Sequence, residues 1–191
     1  GRGDGYFRSD FKAWLLGVEL KLKQTRWLEG VVVEYLYSKY QGGPVYHDNT
    51  ANVDIQISGR DNYYNHHLFT GWQHWGQVMG NPLYRSPLYN DDRKIEEEHN
   101  RFKAWHLGFN SSPIDGLHYR VLATWQRSFG SYYCLPPTPV ENVSLLAEAS
   151  YALRHGWLVK GAFAMDNGKL RGESYGVQLS VIKTGIIGKK K

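Results

Sequence analysis

The chain has 191 residues, enough for one ordinary domain, and a hydrophobic fraction of 41%. Mean hydropathy is −0.53, and no apolar run approaches the roughly 18–20 residues that a transmembrane helix needs, so a helical membrane protein is excluded. The net charge of +5 is a mild excess that no basic helix or nucleic-acid motif organises, three of its lysines being the terminal Lys189, Lys190 and Lys191, so nucleic-acid binding is not expected. The single cysteine, Cys134, excludes a disulfide framework and a cysteine-based metal site within the chain.

Taken in order, the chain shows repeated two-residue alternation. It begins on Gly1 and runs almost at once into a strand pattern, so a processed chain or, preferably, a piece of a longer protein is expected. Residues 11–20 place Trp14, Leu16, Val18 and Leu20 on one face. Residues 27–37 place Val31, Val33, Tyr35 and Tyr37 together, with Glu34 opposite. Residues 101–109 offer Trp105, Leu107 and Phe109 against His106 and Gly108. Residues 118–128 set Tyr119, Val121, Ala123 and Trp125 against His118, Arg120, Thr124, Gln126 and Ser128. Residues 143–154 alternate most clearly, with Val143, Leu145, Ala147, Ala149, Tyr151 and Leu153 on one face. Residues 157–166 and 174–183 follow the same rule. Strands this long exceed the usual five or six residues of soluble sheets and match the length that crosses a bilayer.

The connections alternate between short and long, which predicts short periplasmic turns and longer outer loops. Trp27, Phe109, Tyr119, Tyr151 and Trp157 fall near the turn ends, and Tyr35, Tyr37, Phe129 and Tyr175 near the loop ends, as two interfacial belts would. The expected fold is therefore all-β: an up-and-down transmembrane β-barrel segment of about seven long strands in the bacterial outer membrane, residues 1–191 forming one domain. Seven is an odd count and an open sheet leaves edges unpaired in lipid, so an incomplete barrel, the C-terminal part of a larger one that is monomeric at full length, is expected.

Residues 39–99 form a long outer loop. In it Leu68, Trp72, Trp75 and Met79 are spaced four, three and four apart, which predicts a packed helix near 66–79, closed by Gly80 and the Asn81-Pro82 step. His66, His67 and His74 lack metal-ligand spacing, so no metal is expected, and no motif calls for a cofactor. Asp91, Asp92, Glu96, Glu97 and Glu98 form a charge run that reads as a solvated face rather than a catalytic carboxylate pair. No nucleophile elbow or P-loop is present, and no catalytic residue is assigned.

Tyr63-Tyr64-Asn65-His66, Gly71-Trp72 with Gly76, Met79-Gly80-Asn81-Pro82-Leu83 and Asn100-Arg101 form an ordered set. Trp105-His106-Leu107-Gly108, Phe129-Gly130-Ser131-Tyr132, Ala164-Met165-Asp166-Asn167-Gly168 and Tyr175-Gly176 continue it. Over residues 60–186 this set resembles the Wzi-type capsule-assembly proteins of Gram-negative outer membranes, in particular their Bacteroides-like branch. The resemblance implies a large β-barrel acting as a non-catalytic surface lectin that holds capsular polysaccharide, with outer-membrane lipid as its other partner. The chain departs from the family in lacking most of the N-terminal half of such a barrel.

On this reading Tyr63, Tyr64, His66, Trp72 and Trp75 are candidates for sugar contact, and Arg85, Arg101 and Lys103 for acidic sugars, since guanidinium groups grip carboxylates bidentately. Arg120, Glu148, Arg154 and Lys160 are expected to face the lumen. Two other classes remain open, a diffusion channel gated by its loops and a hydrolase of surface glycans.

Overall fold

The computed structural model describes residues 13–23, 26–39, 64, 71–131 and 134–185. Its strands are β1 (Trp14–Lys21), β2 (Gly30–Tyr37), β3 (Gln73–His74), β4 (Gln77–Val78), β5 (Phe102–Ile114), β6 (Leu117–Ser128), β7 (Val140–Leu153), β8 (Trp157–Gly168) and β9 (Ser174–Lys183). Seven of them form one antiparallel sheet in the order β1-β2-β5-β6-β7-β8-β9, and β3 and β4 form a separate hairpin. Each sheet strand lies beside its neighbour in sequence, which is the up-and-down order. All seven strands expected from alternation are present. Among the described residues β1 and β9 pair on one side only, so the sheet is open rather than closed into a barrel.

Directly opposed residues of an antiparallel pair point to the same face, and the face alternates along each strand. Following the register therefore sorts the whole sheet. One row runs Val33, Leu107, Ala123, Leu145 and Met165; the next runs Tyr35, Trp105, Trp125 and Val143. On the opposite face one row runs Asn110, Arg120, Glu148, Ala162 and Gln178. The apolar face is the uncovered one. Leu16, Val18, Leu107, Phe163 and Leu179 are all exposed, and Val177 is 83% exposed.

Aromatic rings gather toward both ends of this face. Trp14 meets Tyr35 at 5.1 Å between ring centroids, and Tyr35 meets Trp105 at 4.5 Å. Toward the other end lie Phe109, Tyr119, Tyr151 and Trp157. The opposite, charge-bearing polar face instead lines a trough of about 870 Å³ with walls running from β1 to β8, where Leu15, Val32, Leu122 and Leu146 stand beside Glu19, Glu34 and Arg120.

The connections segregate by end. At one end lie 22–29, Asp115-Gly116 and the 3-10 turn Arg154–Gly156; at the other lie 38–101, 129–139 and 169–173. Each connection at the first end is shorter than those flanking it. β5 runs farther than alternation suggested, because the polar stretch Asn110-Ser111-Ser112-Pro113 stays in the strand. A register shift between Ser111 and Ile114 takes up Pro113, which has no N–H to give a ladder and is tolerated at such a bulge. Asp115-Gly116 then makes the turn, with Gly116 at φ +82°.

The helix expected near 66–79 is not formed in its described part, residues 71–79. That part is the β3–β4 hairpin, with Gln73 opposite Val78 and His74 opposite Gln77. Trp75 (φ 52°) and Gly76 (φ 73°) occupy its two-residue turn, and two successive positive φ values suit a hairpin and break a helix. The four-three-four spacing was coincidental. Trp75 is 86% exposed, not packed, and Trp72 and Met79 are exposed as well. Residues 66–70 lie outside the described residues, as do residues 53–57, where the alternation of Val53, Ile55 and Ile57 predicts a short strand.

The buried core sits at the long-loop end, where Leu83 of the loop packs on Phe102 and Ala104 of β5, with Leu36 and Tyr84 against them. Replacing glycines tests how tightly this end is drawn together. A Cβ on Gly168 (φ +150°) would meet the Glu141 carbonyl oxygen at 2.3 Å and the Asn142 Cα at 2.6 Å, whereas one on Gly161 meets nothing within 4 Å. Gly168→Ala is expected to lower the unfolding free energy by about 3 kcal/mol. Gly161→Ala should leave it unchanged or raise it by about 0.5 kcal/mol. Urea unfolding of both variants followed by tryptophan fluorescence checks the contrast.

Candidate functional site

The loop crossing the long end builds a platform in three layers. The β3–β4 hairpin is docked on the segment behind it. The Val78 N–H donates to Ser86 Oγ (3.1 Å), and the Leu88 N–H donates to the Gly76 carbonyl (3.0 Å). Beneath, Tyr64, Tyr84 and Phe102 stack in sequence, with centroids 4.3 and 5.0 Å apart. The platform is then tied to the sheet. Gln126 Nε2 donates to the Leu83 carbonyl (2.9 Å), and Arg171 Nη2 to the Pro82 carbonyl (2.6 Å). Residues 81–83 thereby lie over the polar trough and form part of its lining.

Between the hairpin, the segment at 82–89 and the β8–β9 connection lies a cleft of about 620 Å³. Its lining includes Gln77, Tyr84, Arg85, Tyr89, Asp166 and Arg171. Arg85 donates to the carbonyl of Tyr89, three residues past the Ser86 that anchors the hairpin. Arg171 spends one of a guanidinium's five N–H groups on Pro82. Among the described residues no carboxylate lies within ion-pair distance of either arginine. Asp166 accepts hydrogen bonds from Ser144 and, at 3.2 Å, from Asn142. Tyr89 is 63% exposed at the rim. Burial pushes the Tyr84 phenol up to about 12, so it stays neutral as one wall. Chemically the cleft presents two cationic forks, an exposed aromatic face and hydroxyl-scale acceptors.

The acidic run beside it is not all solvated. Glu97 is fully buried, and its Oε1 accepts the His99 N–H at 3.0 Å. Burial raises its carboxyl well above the usual range, opposed by backbone hydrogen bonds from His99 and Arg85. Glu97 thus pins the run to the backbone of Arg85, an anchor that nothing in the repeated Glu96-Glu97-Glu98 sequence distinguishes. Burial and the neighbouring Arg85 charge lower His99 to about 4, and its Nδ1 lies 2.9 Å from Ser128 Oγ. By contrast Asp92 forms an exposed pair with Lys94 at 2.9 Å.

The sequence candidates divide. Arg85 lines the cleft. Trp72 and Trp75 project from the hairpin that also supplies Gln77, Val78 and Gly80 to it. Tyr64 is only 8% exposed, its ring on Tyr84 and its hydroxyl donating to the Met79 carbonyl (3.2 Å), which makes it part of the platform's packing. Tyr63 and His66 lie outside the described residues. Arg101 and Lys103 are not brought to the cleft. Arg101 is buried, donating to the Lys39 carbonyl (2.9 Å), and Lys103 stands on the apolar face beside Trp125.

Arg120, Glu148 and Lys160 share the polar face. Glu148 pairs with Arg120 and, at 2.7 Å, with Lys160. Arg154 sits beyond β7 in the 154–156 turn and is exposed. Arg171 was not singled out from the sequence, where Lys169-Leu170-Arg171 reads as an ordinary turn. Its only signal was position, in a connection on the long-loop side.

Glu97 and the half-buried His99 set a pH dependence for the platform. His99 has a folded value below its ordinary 6.5, so the unfolded chain binds the proton first, and stability falls as pH drops from about 6.5 to about 4. Glu97 works in the opposite sense: its raised value favours the fold at low pH, and that contribution is lost as pH rises above about 4.5. His99→Gln is expected to remove the acid-side loss, roughly 3 kcal/mol at full extent, and leave the Glu97 component. Amide hydrogen exchange around residues 97–101 and 128–131 at pH 7 and pH 4.5 checks this; an unchanged pH response in the variant would refute it. No protein-family model, curated protein or solved structure matches the chain.

Proposed function

We propose that this chain is part of an outer-membrane β-barrel that holds acidic capsular polysaccharide at the cell surface without acting on it chemically. The observation that carries the reading is the cleft in which Arg85 and Arg171, neither within ion-pair distance of a carboxylate among the described residues, flank an exposed Tyr89. Arginine forks suit uronate carboxylates, and an exposed ring suits a sugar face. Trp72 and Trp75 on the adjoining hairpin extend the aromatic surface along which a polymer would run.

The membrane part of the proposal draws on the uncovered apolar face. Leaving that many large aliphatic side chains in water forfeits on the order of 10 kcal/mol of burial, comparable with the whole stability of a domain. Lipid contact removes the difficulty, and aromatic rings toward both ends of the face suit the two interfaces. The ordered resemblance to Wzi-type proteins supplies the polymer class.

A second reading, a diffusion channel, is favoured by the Arg120–Glu148–Lys160 cluster on the polar face, whose Arg120 lines the trough. Residues 81–83 crossing the trough weigh against free passage. Planar-bilayer recording on the full-length protein separates the two readings, since sustained conductance without affinity for polymer would favour the channel.

Arg85→Ala and Arg171→Ala are each expected to weaken binding of purified acidic capsule about tenfold. The double variant should shift polymer from the cell-bound fraction into the medium with total synthesis unchanged. Unaltered retention by the double variant, with the protein present at normal level, would count against the cleft as the holding site.

A further inference from the structure

We infer that the outer edge of the apolar face carries a binding site for the phosphorylated headgroup of a membrane glycolipid, formed by Lys103 and Arg127. The inference rests on the membrane reading but not on the polysaccharide cleft, which lies apart from it.

Register gives the site its layout. Above the row Val33–Leu107–Ala123–Leu145 comes the row Tyr35–Trp105–Trp125, and above that the row Tyr37–Lys103–Arg127–Glu141. Successive same-face rows are two residues, or about 6.6 Å, apart along a strand. The order is therefore hydrocarbon-like side chains, then indoles and a phenol, then charge. An interface between lipid tails and phosphate headgroups has that order of polarity.

The charge row is unfavourable as it stands. Lys103 and Arg127 are direct cross-strand partners on one face, and like charges so placed repel. The Arg127 guanidinium lies 5.9 Å from the Phe129 ring centroid. The Lys103 ammonium lies 5.7 Å from the Trp125 ring.

Against these two the same row offers Glu141, 3.6 Å from Arg127 and half exposed. Buried Arg101 holds the arrangement from behind, donating to the Lys39 carbonyl at 2.9 Å and to the Phe129 carbonyl at 3.5 Å. A phosphate monoester answers the remaining charge. It carries three acceptor oxygens, matching a planar arginine fork beside a lysine point charge.

The other end of the face lacks such a cluster among the described residues. There Lys183 lies 5.3 Å from the Trp157 ring and donates to the His155 carbonyl, and Arg26 donates to the Pro113 carbonyl at 2.7 Å. Lys183 and Arg26 are thus already engaged by backbone oxygens. The asymmetry points to headgroups that differ between the two leaflets, with phosphate concentrated on the long-loop side.

The test uses the full-length protein extracted from its own membrane in mild detergent. Native mass spectrometry measures retention of added lipid A and of its dephosphorylated form. The expected result is a preference of about tenfold for the phosphorylated lipid, lost in K103E/R127E and kept in K183E. K103Q/R127Q, which removes charge without reversing it, should lose the preference as well and serves if the reversal variant does not insert. Equal retention of the two lipids by the unaltered protein, or a preference surviving in K103Q/R127Q, overturns the site. Should the protein fractionate away from the outer membrane, the membrane reading fails and the lipid site with it. A membrane-embedded protein without lipid preference sinks this inference alone.

Discussion

The structure depends on one constraint: the two-residue side-chain period of an extended chain, kept in step across seven adjacent strands. A slip of one residue in any pairing would send that strand's apolar side chains to the polar face and its charges to the apolar one. The single irregularity among the long pairings lies at the end of β5, between Ser111 and Ile114, past the last full row. Because the register holds elsewhere, every property of the molecule sorts by face and by height. Aliphatic side chains occupy the middle of one face and aromatic rings its margins, while the other face carries the charged Glu19, Glu34, Arg120, Glu148 and Lys160 with Leu15, Val32, Leu122 and Leu146 among them.

That sorting leaves little for a conventional core. Among the described residues the buried apolar cluster is Leu83, Phe102 and Ala104, at the end where the long loop returns. Buried polar groups do much of the work there. Ser38 Oγ accepts the Phe102 N–H at 3.1 Å and donates to the Asn100 carbonyl at 3.0 Å, and Ser38 donates its own N–H to the Phe102 carbonyl. Hydrogen bonds of this kind fix direction as well as proximity, whereas apolar contact fixes proximity alone. The loop is consequently held in one orientation over the trough, and Arg85, Tyr89 and Arg171 face a common space.

The sheet was legible because alternation is a local signal repeated many times. Val143 to Leu153 announces its faces without help from any other segment. The loop was not, because its signals conflict. Leu68, Trp72, Trp75 and Met79 have helical spacing, but glycines at 71, 76 and 80 all adopt positive φ and turn the chain into a hairpin. Weight given to Gly76 beside Trp75 would have read a two-residue turn. Glu97 and Arg171 were invisible for a different reason. Their roles come from what the fold brings against them, the Arg85 backbone in one case and Pro82 in the other, and no neighbouring residue encodes either meeting. Arg101 and Lys103 were grouped with Arg85 by nearness in sequence. The first is buried behind the sheet edge and the second stands on the apolar face.

The same period separates the cations of the long-loop end into two sets. Lys103 and Arg127 stand on β5 and β6 at positions in phase with Trp105 and Trp125, and so belong to the apolar face. Arg171 follows β8 in a connection whose neighbour Asp166 lies on the polar face, and it reaches Pro82 over the trough. The two sets therefore look in different directions from one rim. Under the proposed function this lets an anionic polymer and an anionic lipid headgroup be held at once, without competing for the same guanidinium groups. It also assigns the two acidic neighbours distinct parts. Glu141 moderates the outer set through Arg127, and Asp166, occupied by Ser144 and Asn142, leaves Arg171 unpaired for the inner one.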